Sequence, residues 1–281
     1  MPEAAPAAVT AIDSHAHVFV RGLPLAPQRR HAPDYDATPA DFGALLDAHG
    51  VSHALLVQPS FLGTDNRFLL DAIRARPRRL RGVAVVDPEA DDDDALQALA
   101  DGGICGIRLN LVGLPTPDFS RPTWQRLFAR VRALDWHVEL HRDSQALARA
   151  GQPVLDAGCK LVVDHFGRPG AVDDGGQAWL LAAAAGGRTW VKLSAAYRSW
   201  PMPWAPPARA AADRLLRAFG AERLLWGSDW PHTEHRECVD YTAARAALAD
   251  WVPDNASRHR ILVDTPAQLF GFEKYGDLHA Q

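Results

Sequence analysis

The sequence predicts a single (β/α)8 barrel, and three observations carry that expectation. Eight short apolar runs are spread along the chain, most with a helical pattern after them; parallel strands covered on both faces read as such continuous Val/Ile/Leu segments. A length of 281 residues suits one barrel, and no break in composition marks a second domain. The rival, an open doubly wound sheet, lacks its Gly-x-Gly-x-x-Gly turn after the first strand. Gly102-Gly103-Ile104-Cys105-Gly106 has neither that spacing nor that position.

Taken in order, residues 11–19 form the first strand, and His15 and His17, two apart, project to the same side. The loop 21–37, holding His31 and Tyr35, is too long for a mere connector and is expected to cover a site. Thr38 as N-cap, Pro39 at the first helical position and Asp41 in the first turn start a helix that stops at Gly50. Residues 53–58 are a buried strand running into the polar turn 59–66, and a helix follows over Arg67–Ala75. Strand 81–86 precedes a helix over 91–100, whose aspartates at 91 to 94 satisfy the helix macrodipole rather than bind a cation. Strand 104–109 carries Arg108 and ends at Asn110, before a helix over 122–134. Strand 136–140 delivers His141, and strand 160–164 delivers His165. Strand 188–193 leads to Ser194, Tyr197 and Arg198. The Pro- and Trp-rich stretch 200–207 is read as a cover on the barrel, ahead of a helix through Phe219. Strand 223–227 delivers Ser228-Asp229-Trp230-Pro231-His232, and helices near 239–250, 256–263 and 266–270 close the fold. Residues 1–10 are expected as a flexible N-terminal segment and 273–281 as a tail, flanking a barrel over 11–272.

Composition narrows the function. Lys and Arg number 30 against 34 Asp and Glu, a net charge of -4 without basic clusters, which argues against nucleic-acid partners. Cys105, Cys159 and Cys238 are odd in number and widely spaced, so neither a disulfide framework nor a thiolate metal site is expected. The N-terminus lacks a basic head and an apolar core, and no apolar run is long enough to span a membrane. A cytoplasmic protein with no membrane partner is the expectation; the oligomeric state is left open.

The strand ends carry the chemistry. They present His15 and His17, Ser60, Arg108 and Asn110, His141, His165, Arg198 and Asp229. In a barrel these positions converge on one face, where such enzymes place their active sites. No Gly-x-Ser-x-Gly elbow supports a serine hydrolase, and His141-Arg142-Asp143 matches a kinase loop without its companions. His49, His53, His137, His235, His259 and His279 lack strand-end placement and are read as structural or exposed.

His15-Ala16-His17, His141, Val163-Asp164-His165 and Trp226-Gly227-Ser228-Asp229-Trp230-Pro231-His232 resemble the amidohydrolase superfamily. Gln58-Pro59-Ser60 with Gly63-Thr64-Asp65-Asn66, Gly106-Ile107-Arg108-Leu109-Asn110 and Asp164-His165-Phe166-Gly167-Arg168-Pro169 are similar to its 2-pyrone-4,6-dicarboxylate lactonase branch, which serves aromatic-acid catabolism. The resemblance spans residues 11–272 and implies a (β/α)8 hydrolase that opens the ring of a carboxylated lactone. It implies that Asp229 is the general base and that His15, His17 and His165 polarise the carbonyl. Arg108 and Arg198 would pair with substrate carboxylates, with Ser60 and His141 completing the substrate site.

Two departures from that branch stand out. Its members carry a tyrosine after strand five and a second arginine after strand four, where this chain has His141 and Leu114. His141 raises the metal question, because His15, His17, His141 and Asp229 form the ligand set of mononuclear enzymes in the wider superfamily. A single zinc is therefore a candidate cofactor, although the lactonase branch works without metal. The alternative activity is metal-dependent, non-oxidative decarboxylation of an aromatic or muconate-type acid.

Overall fold

The computed structural model describes residues 8–170 and 175–272. The expected tail, and residues 1–7 of the expected N-terminal segment, lie outside the described residues. Eight parallel strands follow one another around the sheet in sequence order: β1 Ile12–Ala16, β2 His53–Val57, β3 Leu80–Ala84, β4 Ile104–Asn110, β5 His137–His141, β6 Lys160–Val163, β7 Thr189–Leu193 and β8 Leu224–Trp226. The ring closes where β1 meets the end of β8: the Asp229 amide donates to the His15 carbonyl at 2.8 Å, and the His17 amide to the Trp230 carbonyl at 2.8 Å. The barrel expectation is met.

Helices α1 Pro39–Ala48, α2 Arg67–Ala75, α3 Asp93–Asp101, α4 Pro122–Ala133, α5 Leu147–Asp156, α6 Gly175–Ala183, α7 Ala205–Phe219 and α8 Tyr241–Trp251 surround it, followed by α9 Asn255–His259 and α10 Thr265–Phe270. The start of α1 is a capping box: Thr38 accepts from the Asp41 amide while Asp41 accepts from the Thr38 amide. Asp92 caps α3 by accepting from the Ala95 amide, with Asp93 and Asp94 in its first turn, as the macrodipole reading requires. Sequence patterning placed neither α5 nor α6. Ala146 precedes α5 without a capping side chain, and Pro153 lies inside it, so the usual start and continuation signals are missing. None of the described helices is long and apolar enough to cross a membrane.

The barrel interior changes character along its axis. Ile12, Leu55, Val57, Val83, Val162 and Leu225 form an apolar cluster sealed by Phe270 and Phe272 from the chain end. Beyond it the inward residues turn polar, with Arg108, Glu139, Lys192 and His15 all buried. In β1 that switch requires a bulge. Asp13 pairs with Ala54 and Ala16 with Leu56, so three steps along β1 match two along β2. The extra residue reverses the alternation, and Ile12 and His15 can both face inward.

Gly227 is the other local requirement. A Cβ there would lie 2.5 Å from the His15 Cβ and 2.9 Å from the His15 amide nitrogen, so only glycine lets β8 pass this close to the histidine strand. Gly227→Ala is expected to cost about 1–3 kcal/mol of unfolding free energy, seen as a lower denaturant midpoint. Gly175→Ala, whose new methyl meets open space, should not destabilise the fold. Equal midpoints for the two variants would contradict this account of the β1–β8 contact.

Candidate active site

Bulged β1 is pinned to β8 by Asp13, whose Oδ1 accepts from the His15 amide at 3.1 Å and the Ser228 amide at 2.9 Å. Burial pushes the Asp13 carboxyl up to about 6 even though Ser228 and His15 bond to it. This anchorage sets His15 and His17 opposite Asp229, which sits at φ +60° immediately past β8. A non-glycine residue held in that sparsely populated region is strain of the kind found where a side chain must be aimed.

One carboxylate oxygen lies among three imidazoles. Asp229 Oδ1 is 3.6 Å from His15 Nε2, 3.7 Å from His17 Nε2 and 3.8 Å from His165 Nε2. Its other oxygen accepts from Arg198 Nε at 2.6 Å and from the Tyr197 hydroxyl at 2.7 Å. Burial raises the Asp229 carboxyl, but Arg198 and the surrounding imidazoles outweigh it and hold the group well below the usual carboxylate range. The imidazoles move the other way. Burial lowers His165 to about 3 and His15 well below its ordinary value, the latter helped by Lys192, so both rings are neutral.

Under the imidazoles lies a layer of charge. Lys192 Nζ contacts Glu139 Oε2 at 2.5 Å, Asp164 Oδ1 at 3.6 Å and His15 Nδ1 at 3.0 Å. Arg108 adds contacts to Asp164 at 3.2 Å and Glu139 at 3.7 Å, and donates to the Gln58 carbonyl at 3.4 Å. Burial, with the neighbouring Asp164, lifts Glu139 to about 7. Glu139 and Lys192 were not singled out from the sequence. Their inward placement on β5 and β7 was the available signal: a charged residue at an inward-facing strand position is buried and needs a partner.

Above this layer opens a cavity of about 350 Å³. Its wall includes His17, Ser60, Arg108, His141, His165, Arg198 and Asp229, so seven of the eight expected site residues border one space and His15 lies just beneath it. His141 is placed apart from the His15–His17–Asp229 group. Its ring stands edge-on to His165 with centroids 4.9 Å apart, and its Nε2 lies 3.4 Å from Arg168 Nη1. Arg30, His31, Arg168, Tyr197, Glu234 and His235 also line the cavity. Arg30 comes from the long loop after β1 and donates to Asn110 Oδ1 at 2.9 Å. Burial lowers its guanidinium, as do the nearby cations Arg108 and Arg168. The loop packs through Leu23, Tyr35 and Ala37 onto Phe19, Phe61 and Leu62, and its Arg30 and His31 line the cavity, which agrees with its reading as a cover.

The remaining histidines divide. His53 packs on Phe272, and His137 is buried in the barrel where Gly106 leaves it room. His235 departs from the structural-or-exposed expectation, since its ring lies tilted 4.8 Å from Tyr197 at the cavity wall. His279 is outside the described residues. Trp200 backs Phe166 at 5.3 Å and Trp204 lies 6.3 Å from Tyr197; neither lines the cavity, as a cover predicts. Among the described residues, two groups of side chains stand close enough together to hold an ion: His15, His17 and Asp229, and His15, Asp164 and His165.

Comparison with known proteins agrees with this geometry. A 2-pyrone-4,6-dicarboxylate hydrolase of Comamonas testosteroni is 31% identical over 278 residues, covering 92% of this chain and 90% of its own. A 4-sulfomuconolactone hydrolase of Rhizobium radiobacter is 30% identical over 274 residues, covering 92% and 89%. The crystal structure of a candidate 2-pyrone-4,6-dicarboxylic acid hydrolase from Pseudomonas putida superposes with a TM-score of 0.88 at 44% identity, covering 94% of this chain and 98% of the other. A 2,6-dihydroxybenzoate decarboxylase from Rhizobium matches at a TM-score of 0.68 and 16% identity, a likeness of fold alone. The amidohydrolase family model matches residues 12–272, the whole of the barrel, and the chain belongs to that family.

Proposed function

We propose that this protein hydrolyses the ring ester of a small carboxylated lactone, of the pyrone-dicarboxylate or muconolactone type. One observation carries the reading: three neutral imidazoles surround a single ionised carboxylate oxygen at the floor of a cavity walled by Arg30, Arg108, Arg168 and Arg198. The arginines match an anionic substrate, the carboxylate can take a proton from water, and imidazole N–H groups can receive the charge that develops on a carbonyl oxygen.

The reaction follows from those parts. Water attacks the acyl carbon as Asp229 accepts its proton, and the carbonyl becomes an oxyanion facing the imidazoles. The acyl carbon–ring oxygen bond then breaks, and Asp229 returns the proton to the leaving oxygen. The product is an open-chain acid with every carbon retained. Arg108 and Ser60 border the space where a substrate carboxylate would lie. Arg198 is engaged at rest by Asp229 and by the Thr233 carbonyl at 2.9 Å, so it aims the base as well as offering charge to the substrate.

A resident metal fits the spacing of His15, His17 and Asp229 but not their hydrogen bonding. His15 Nδ1 lies 3.0 Å from the Lys192 ammonium, which can only donate, so the neutral ring's proton falls on Nε2, the atom that would have to offer a lone pair. The fourth expected ligand, His141, is turned to Arg168. No step above is routed through a metal. Decarboxylation has less support: the likeness to a decarboxylase is one of fold, whereas relatives at 30% identity and above are named as lactone hydrolases.

Asp229→Asn should lower kcat for lactone opening by about 10²–10⁴-fold without loss of fold. Turnover within threefold of the unmodified enzyme would refute the assignment of the base. Arg30→Met should raise KM for a dicarboxylated lactone about tenfold with kcat little changed, the loss of one charge-assisted hydrogen bond. A lactone with a single carboxylate held by Arg108 would show no such change, and an unaltered KM for the dicarboxylate would remove Arg30 from the substrate site.

A further inference from the structure

We infer that Lys192 is a positioning residue that fixes His15 in the tautomer carrying its proton on Nε2, making this ring a hydrogen-bond donor to the reacting carbonyl. The inference rests on the hydrolytic reading for its consequence, but its structural half stands on the hydrogen bonds alone.

Lys192 is fully buried on β7, with Nζ against the Glu139 carboxylate and 3.0 Å from His15 Nδ1. An ammonium has only protons to give, so Nδ1 must accept, and the proton of the neutral ring resides on Nε2. The next contacts agree with this assignment. His17 Nδ1 is 2.7 Å from the Val57 carbonyl, which can only accept; the His17 proton is therefore on Nδ1 and its Nε2 bears a lone pair. His15 Nε2, 3.2 Å away, donates into that lone pair. Lys192, His15, His17 and Val57 thus form one directed chain of donors. Asp164 Oδ1 and Glu139 Oε1 also lie 3.3 and 3.4 Å from His15 Nδ1, and either would take a proton from it if Lys192 were absent.

The directed chain divides the work of the two histidines. When substrate enters, the His15 N–H can pass from the His17 lone pair to the oxyanion, and the lone pair so freed can hold a hydrogen of the attacking water. Removing Lys192 would let Nδ1 donate to Asp164, and His15 would then face the substrate with a lone pair, a repulsive partner for a developing oxyanion.

Histidine-selective ¹⁵N spectra test the tautomer directly, with the His15 signals identified by their loss in His15→Gln. The unmodified protein should show His15 protonated on Nε2. Lys192→Met should move the proton to Nδ1 and lower kcat for lactone opening about 10²-fold with KM little changed, the effect of losing one oxyanion donor. The double variant Lys192→Met/Glu139→Gln keeps the buried charges balanced and should show the same two changes, which separates the tautomer from simple destabilisation. Lys192→Arg, which retains a donor, should recover part of kcat. A His15 proton on Nδ1 in the unmodified protein would overturn the inference, as would variants that keep the Nε2 tautomer and kcat within twofold. A correct tautomer in a protein that opens no lactone would leave this inference standing and refute the proposed function instead.

Discussion

Charge balance inside the barrel is the constraint to which the rest of the site answers. Lys192 and Arg108 face Glu139 and Asp164, two basic side chains against two acidic ones, all four buried. Buried ions on this scale persist only when each is paired and hydrogen-bonded; removing one partner from such a set typically costs about 3–5 kcal/mol. The arrangement is therefore rigid by necessity. It forms the floor on which the imidazoles rest, and the bulge in β1 and the glycine after β8 are the backbone features that bring His15 down to meet it.

From that floor upward, each layer limits the protonation of the next. The ammonium lies beneath His15, and burial keeps the rings neutral. The Arg198 guanidinium in turn keeps Asp229 ionised. A base held this far down is always available but intrinsically weak, so the rate must come largely from stabilising the oxyanion and from orienting the substrate. The arginines around the cavity wall are suited to the second task. Leu114 stands 47% exposed and away from the cavity, and Arg30 reaches Asn110 at the end of β4 from a different loop. Arg30 thus brings a cation to the end of β4 from another loop.

Much of this was legible in the sequence because barrel strands announce themselves as apolar runs and deliver their next residues to one rim. His15, His17, His165 and Asp229 could be named from strand ends alone, and Thr38–Asp41 gave the start of α1. Features that depend on three-dimensional pairing were not legible. Glu139 and Lys192 are ordinary charged letters within strands, and only the closed barrel shows them touching across its axis. Arg30 lies in a loop without periodicity, so nothing local ties it to the cavity. Of the four conditional metal ligands, His15, His17 and Asp229 stand together, while the side-chain rotation that turns His141 to Arg168 has no signature in the sequence.

The central claim is acyl transfer to water, and the most direct measurement is a single turnover in ¹⁸O-labelled water with 2-pyrone-4,6-dicarboxylate and a muconolactone acid as substrates. The account predicts one ¹⁸O atom in the newly formed carboxylate of the product from at least one of them, with all carbons retained. Turnover that releases carbon dioxide, or that yields a product without the label, would contradict it.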